Sequence, residues 1–321
     1  MTETWDDLRR ICESAIRGAG GNEATVSALV DAAIFAERNN QSSVGIAHLI
    51  DHLDSIRAGR LNPSPRPIIE TRTPMSLVAS ADAGAMQVTF AMARRQLAKA
   101  ARDFGIAVLS VRDGYTAGGL AFYTNAMAEE GFVALAASNS PALMSLYGSS
   151  TAATGTNPLS FALPGLPRPR VFDQAASEVA WVQVREAAQR GDSIPLHWAN
   201  DAHGHPTQDP HQALKGTMSP SGGIKGANIA LMVEMLSVLS GANFSTDAPQ
   251  AHSGYHSPRV GLWLMVLDPS VFDPDFVRRV DAHFSELRPT IGHDFGRRQA
   301  WRDIPNISPA LLGSLCAEPR G

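Results

Sequence analysis

The sequence predicts a mixed α/β protein, and three features carry that reading. Apolar residues recur at helical spacing over long runs, as in Met86, Phe90, Ala93, Leu97 and Ala101. Short β-branched or apolar runs lie between them, at Ile106 to Val111, Phe132 to Ala137 and Gly261 to Leu267. The middle third is rich in Gly, Ser, Thr and Pro, which suggests loops laid over a sheet.

In chain order, Asn22 caps a helix whose Val26, Leu29, Val30, Ala33 and Ile34 form one apolar stripe. Asn39 to Ser43 is a polar break, a loop or a helix junction. A second helix runs from His48 to Ala58 and stops at Gly59, ahead of the Pro-rich connector Asn62 to Pro67. The long helix from Met86 ends near Gly105 and feeds the first strand. Asp113 to Gly119 is a glycine-rich turn into a helix over Leu120 to Glu130, followed by the second strand. Ala227 to Ser240 is a strongly apolar helix closing at Gly241. After the last strand comes an amphipathic helix, Asp273 to Leu287, and the N- and C-terminal helices should pack together.

The 321 residues are enough for a substantial core, with 27 basic and 31 acidic side chains giving a net charge of -4. That balance argues against nucleic acid or an anionic membrane as a partner reached by bulk charge. Cys12 and Cys316 sit near opposite ends, so no disulfide framework or cysteine-based zinc site is suggested. The acidic start MTETWDDLRR lacks an apolar core for a signal peptide, and Glu234 interrupts the most apolar stretch. A soluble cytoplasmic protein is the expectation.

Neither G-x-G-x-x-G after a strand nor a P-loop is present. Asp113 to Gly119 could still cradle an anion at a helix N-terminus, or be an ordinary tight turn. Ser221 to Gly226 poses the same choice, with Lys225 either a phosphate partner or a solvated turn lysine. His197, Asp201, His203, His205 and Asp209 tempt a metal reading. Their spacing is not that of a zincin helix, and Pro195, Gly204 and Pro206 break the segment, so no metal is expected.

Four blocks together carry a resemblance: Ser138 to Pro164, Phe172 to Ser177, Ile194 to Pro210 and Ala213 to Gly226. They resemble the type 2 malate/L-lactate dehydrogenase family, which includes reductases of cyclic imino acids, sulfolactate, ureidoglycolate and diketogulonate. The resemblance spans about Ala15 to Leu312 and is strongest from Gly155 to Gly241. It implies a non-Rossmann, sheet-based cofactor domain with packed N- and C-terminal helices, NADP or NAD as cofactor, a small-molecule substrate and a homodimer. The expected division is residues 1–70, 71–255 and 256–321: a helical substrate and dimer part, the cofactor domain, and a return to the first part. The dinucleotide should then meet Ala117, Gly118 and Gly119, the segment Asp173, Ala175, Ala176 and Ser177, and Lys225. Ala176 stands where the family has Thr. Arg297 follows Gly296 in a loose match to a Pro-Gly-Glu-Arg-like segment that closes the cofactor site, with a surface helix as the alternative. Gly155-Thr156-Asn157-Pro158 matches intact, which places Thr156 and Asn157 beside the substrate.

The substrate side departs. The family's Asp-Ser-His-Gly-x-x-Arg reads Ser42-Ser43-Val44-Gly45-Ile46-Ala47-His48 here, so the expected proton donor is Val44 and the carboxylate clamp is His48. A second family histidine aligns with Thr116, and the Pro-x-Gly-Gly turn has become Leu146-Tyr147-Gly148-Ser149. Reduction of a ketone leaves an alkoxide that needs a nearby acid, and valine supplies none. His48, one helical turn after Val44, is the most economical substitute, with the surviving Ser43 and Tyr115 as further catalytic candidates and Tyr147 as a substrate contact. An iminium arrives protonated, so C=N reduction survives the loss better than C=O reduction. The expectation is an NAD(P)H-dependent reductase of a cyclic imine or related 2-oxo compound. A degenerate relative without catalysis and a non-redox enzyme with a repurposed pocket are the alternatives.

Overall fold

The computed structural model describes residues 4–296 and 301–316. Ten helices are described: α1 (Trp5–Gly18), α2 (Glu23–Arg38), α3 (Ile46–Arg57), α4 (Met86–Phe104), α5 (Ala121–Glu129), α6 (Trp181–Arg190), α7 (Pro210–Ala213), α8 (Ile224–Ser237), α9 (Phe276–Ile291) and α10 (Pro309–Cys316). A seven-stranded sheet combines β1 (Ile68–Thr73), β2 (Ser76–Ser80), β3 (Ile106–Gly114), β4 (Val133–Ser138), β7 (Leu159–Leu163), β8 (Arg170–Gln174) and β11 (Val260–Leu267). Its order is β1-β2-β3-β11-β4-β7-β8, with only β2 and β3 parallel. A smaller sheet, β6-β5-β10-β9, joins β5 (Met144–Ser145), β6 (Ala152–Thr154), β9 (Ala199–Asn200) and β10 (Thr217–Met218).

Strand alternation assigns the faces of the large sheet. Leu109, Ala134, Ala136, Leu262 and Leu264 share a core with Phe90 and Leu97 of α4 and Tyr123 and Met127 of α5. Their neighbours in register, Leu135, Ala137, Trp263 and Met265, face α8 through Val233. A third core joins Leu8, Cys12 and Ile16 of α1 to Leu29 and Val30 of α2, Leu49 and Leu53 of α3, and Leu315 of α10. The terminal helices therefore do pack together, as expected. A fourth covers the small sheet with Val184 of α6 and Ala227 and Ala230 of α8.

Local chemistry fixes the element ends. The Asn22 side chain accepts the Thr25 N–H at 2.9 Å, capping α2. Gly105 ends α4 at φ +79°, a left-handed turn that glycine enters without strain. The sequence reading does not reach α1, α6, α10, the β1-β2 hairpin or the β7-β8 pair.

Candidate functional site

The corner between α2 and α3 builds the site. Glu37, buried at the end of α2, accepts the Ser42 hydroxyl at 2.8 Å and the Ile46 N–H at 2.9 Å. Its carboxylate thus sits at the α3 N-terminus, where an anion is favoured. A Cβ on Gly45 would lie 2.3 Å from Glu37 Oε1, so the close approach requires glycine. The polar break is a tight turn followed by a single 3-10 turn, Ser42–Val44. This corner presents Ser43, Val44 and His48 to one cavity of about 220 Å³.

The opposite walls come from distant parts of the chain: Thr116 to Gly118, Ser138 to Pro141, Thr156, the start of α6, and Gln250 to His252. His48 Nδ1 lies 3.7 Å from Asp51 Oδ2, and Arg185 Nη2 reaches the same oxygen at 3.3 Å. Burial pushes the Asp51 carboxyl up, but the surrounding His48, Arg185 and His252 override it and hold it at about 2. Behind His48, the ring of His52 packs edge-on at 4.4 Å and donates Nδ1–H to the His48 carbonyl at 2.7 Å. Burial depresses His52 to about 3, so it is neutral. Three buried polar atoms of the cavity-lining residues have no protein partner: His48 Nε2, Thr116 Oγ1 and Ser140 Oγ. Such atoms are destabilising unless something else satisfies them.

The structure brings together Ser43, Val44, His48, Thr116, Ala117, Gly118 and Thr156. Gly119 and Asp173 adjoin them, since a Cβ on Gly119 would meet Val44 Cγ2 at 3.0 Å and Asp173 Oδ2 at 3.7 Å. Segment 173–177 is stitched to the same wall. Ala176 donates its N–H to the Thr156 carbonyl at 2.8 Å and accepts that of Ser221 at 2.9 Å. Ser177, also buried, donates its hydroxyl to the Val179 carbonyl and bridges to Pro220. Ala175 lies between, and the Ser221 to Gly226 turn is thereby placed beside this segment.

Other expectations are corrected. Tyr115 is fully buried and its hydroxyl is consumed by Ser55, 2.6 Å away, and by donation to the Ala251 carbonyl at 2.9 Å; it packs and holds a cavity wall rather than reaching the cavity. Asn157 is buried in a separate network, donating to Ala230 O at 2.9 Å and Glu234 Oε2 at 2.8 Å. Tyr147 is exposed and donates to Asn228 Oδ1 at 2.6 Å on α8, away from the cavity. Lys225 is not among these corrections: it is exposed in the first turn of α8, outside the cavity, on the turn joined to segment 173–177. The anion cradle at α5 is already filled: Asp173 Oδ2 accepts the Ala121 N–H at 2.9 Å. Burial raises Asp173 to about 6, against the pull of the Ala121 and Leu120 N–H groups. In the histidine-rich loop, Asp201 Oδ1 accepts the N–H groups of His203 at 2.8 Å and His205 at 2.9 Å, which closes a turn. Arg297 lies outside the described residues.

Sequence reasoning missed Asp51, Arg185 and His252. Asp51 was within reach, three residues after His48 on one helix face. Arg185 sits on α6 inside the stretch assigned to loops, so no pattern pointed at it.

The family model for malate/L-lactate dehydrogenase matches residues 4–296. The chain is 32% identical over 268 residues to the (2R)-3-sulfolactate dehydrogenase (NADP(+)) of Chromohalobacter salexigens, covering 83% of this chain and 79% of that one. It is 34% identical over 272 residues to the Delta(1)-pyrroline-2-carboxylate/Delta(1)-piperideine-2-carboxylate reductase of Pseudomonas aeruginosa, covering 83% and 80%. The crystal structure of delta1-piperideine-2-carboxylate reductase from Pseudomonas syringae pv. tomato superposes with a TM-score of 0.93 at 28% identity, over 98% of both chains.

Proposed function

Because the chain belongs to the malate/L-lactate dehydrogenase family and is an NAD(P)-dependent oxidoreductase, we propose that it reduces the C=N bond of a cyclic imine, with 2-oxo compounds as weaker substrates. The carrying observation is the cavity wall itself, where apolar Val44 stands beside a His48 ring nitrogen that has no protein partner. Relatives named for 2-carboxylated cyclic imines support the same choice.

The residues fit a nicotinamide dinucleotide. Thr116 Oγ1 and Ser140 Oγ are unpartnered donors at the wall, and Gly118 and Gly119 bring the backbone close to His48 and Val44 there. Gly118, Gly119 and the Asp173 to Ser177 segment would hold the nicotinamide end, with Lys225 offered to a phosphate. When bound, the cofactor supplies a hydride equivalent to the imine carbon. The protein's own part is orientation and proton handling. His48 Nδ1 faces Asp51 Oδ2 at 3.7 Å, and Nε2, which has no protein partner, is the nitrogen left to meet the substrate. A protonated iminium leaves as a neutral amine and needs no donor from Val44. A 2-oxo substrate would need Nε2–H of a charged His48 for its alkoxide, a harder demand.

The test is a pair of kinetic series with NADPH and NADH, on Δ1-piperideine-2-carboxylate and on a 2-oxo acid of equal size. We expect kcat/KM at least tenfold higher for the imine. Reduction of the 2-oxo acid alone would reverse the assignment, and cofactor binding without turnover of either would leave a degenerate site.

We also read the chain as a homodimer, resident in the cytoplasm where NAD(P)H is available. The outer face of α8 supports the first point: Ile229, Met232, Met235 and, just past its end, Leu239 form an exposed apolar stripe.

A further inference from the structure

We propose that Arg185, braced by Asp51, is the anchor for a carboxylate on the substrate and so selects carboxylated imines over plain ones. The inference rests on the reductase reading above and names the residue that would set its substrate class.

Arg185 is the one arginine or lysine among the described residues lining this cavity. It reaches it from α6, an element unrelated to the α2-α3 corner that supplies His48. Asp51 Oδ2 engages Nη2 at 3.3 Å, which fixes the direction of a long side chain that would otherwise lose much rotamer freedom on binding. A guanidinium has five N–H donors in a planar fork, and the Asp51 contact engages one edge. The side chain keeps 31% of its surface exposed, on a cavity otherwise walled at this end by Trp181 and Val182. It is therefore both held and accessible, the combination that bidentate carboxylate recognition needs.

The charge around the cavity agrees. Asp51 is the one carboxylate among its described lining residues, and it is offset by Arg185. Arg60, buried behind the wall, donates to the Gly254 carbonyl at 2.8 Å and forms no ion pair among the described residues. His48 and His252 can only add positive charge. The balance favours a carboxylate on the substrate, and an iminium without one would gain nothing from it. His48 does not compete for this task, because its Nδ1 faces Asp51 and a single imidazole nitrogen cannot grip two carboxylate oxygens.

The experiment compares wild type, Arg185→Lys and Arg185→Met in two readouts. One is steady-state reduction of Δ1-piperideine-2-carboxylate against Δ1-piperideine, the same ring without its carboxylate. The other is calorimetric binding of pyrrole-2-carboxylate, a planar carboxylated ring that cannot be reduced under these conditions. In Arg185→Met we expect KM for the carboxylated imine to rise about a hundredfold, the size expected for losing a charged hydrogen-bond pair. The carboxylate-free imine should change less than about twofold, and Arg185→Lys should recover part of the loss. Pyrrole-2-carboxylate binding should weaken in parallel. If wild type binds the pyrrole acid through Arg185 yet reduces neither imine, the anchor stands and the reductase reading falls. If wild type reduces the carboxylated imine and Arg185→Met does so with unchanged KM, the anchor falls and the reductase stands. An equal loss on both imines would assign Arg185 a structural role only, and failure of wild type to bind the pyrrole acid would also overturn the anchor.

Discussion

Asp173 shows how one buried carboxyl can carry structure and a pH signature together. It caps α5 through the Ala121 N–H, and burial raises it from 3.8 to about 6. Between about pH 4 and 6 the folded chain holds a proton here that the unfolded chain has released. Stability from this group therefore falls as pH rises through that window, by about 3 kcal/mol in all. Asp173→Asn keeps a side-chain oxygen for the cap and never ionises. Urea denaturation should find the variant more stable than wild type by up to about 3 kcal/mol at pH 8, and equal to it at pH 4. The same difference at both pH values would show that Asp173 is ionised without penalty. His52 runs the other way. Buried and neutral at about 3, it stabilises at neutral pH and loses that contribution as pH falls from about 6.5 toward 3. Both proteins share His52, so its effect cancels from the comparison.

At the scale of elements, the α2-α3 corner positions the chemistry, and Gly45 is its tightest point. A methyl there would overlap Glu37 Oε1 at 2.3 Å, and Glu37 is buried, hydrogen-bonded to Ser42 and Ile46, and 3.5 Å from Arg302 Nη1. Gly45→Ala should cost about 2–4 kcal/mol in thermal or chemical unfolding, because the carboxylate cannot move without leaving a buried charge unpaired. It should also lower activity, since Val44 and His48 flank that glycine; unchanged stability would mean that the corner yields freely. The surviving glycine was visible in the sequence, but its reason was not, because Glu37 is eight residues away and nothing local links the two. The same divide runs through the fold. Helices α2 and α4 could be read because an apolar stripe or a cap announces each, α8 because it is apolar along its length, and β3, β4 and β11 because they are buried on both faces and nearly all apolar. The short strands β5, β6, β9 and β10 hold two or three residues each, too few for any period to show. Asn157 misled for a related reason: a motif preserves residue type, while the partner that decides its role, Glu234, lies on α8 and far along the chain.

For the whole molecule, α8 poses a problem that a single chain does not solve. Its inner residues Ala227 and Ala230 pack on the small sheet and Val233 on the large one, so this helix ties the two sheets together. Its outer residues are apolar too: Met232 and Met235 are 43% and 49% exposed, and Leu239 just beyond the helix is 67% exposed. A helix apolar all round belongs in an interior, and a contiguous exposed stripe of this kind marks a protein interface. A second copy of the chain is the occupant we favour. In a two-fold interface each substitution enters twice, so two acidic residues per chain place four charges in one apolar contact. Met232→Glu with Met235→Glu should therefore convert the protein from the mass of two chains to the mass of one by light scattering. Its circular dichroism should stay unchanged, because neither side chain reaches the core. A wild-type protein that already runs as one chain would remove the dimer and leave the stripe to a different partner. If the monomeric variant still binds and reduces its substrate, one chain suffices for the cavity, whereas loss of turnover on dissociation would mean that the second copy completes it.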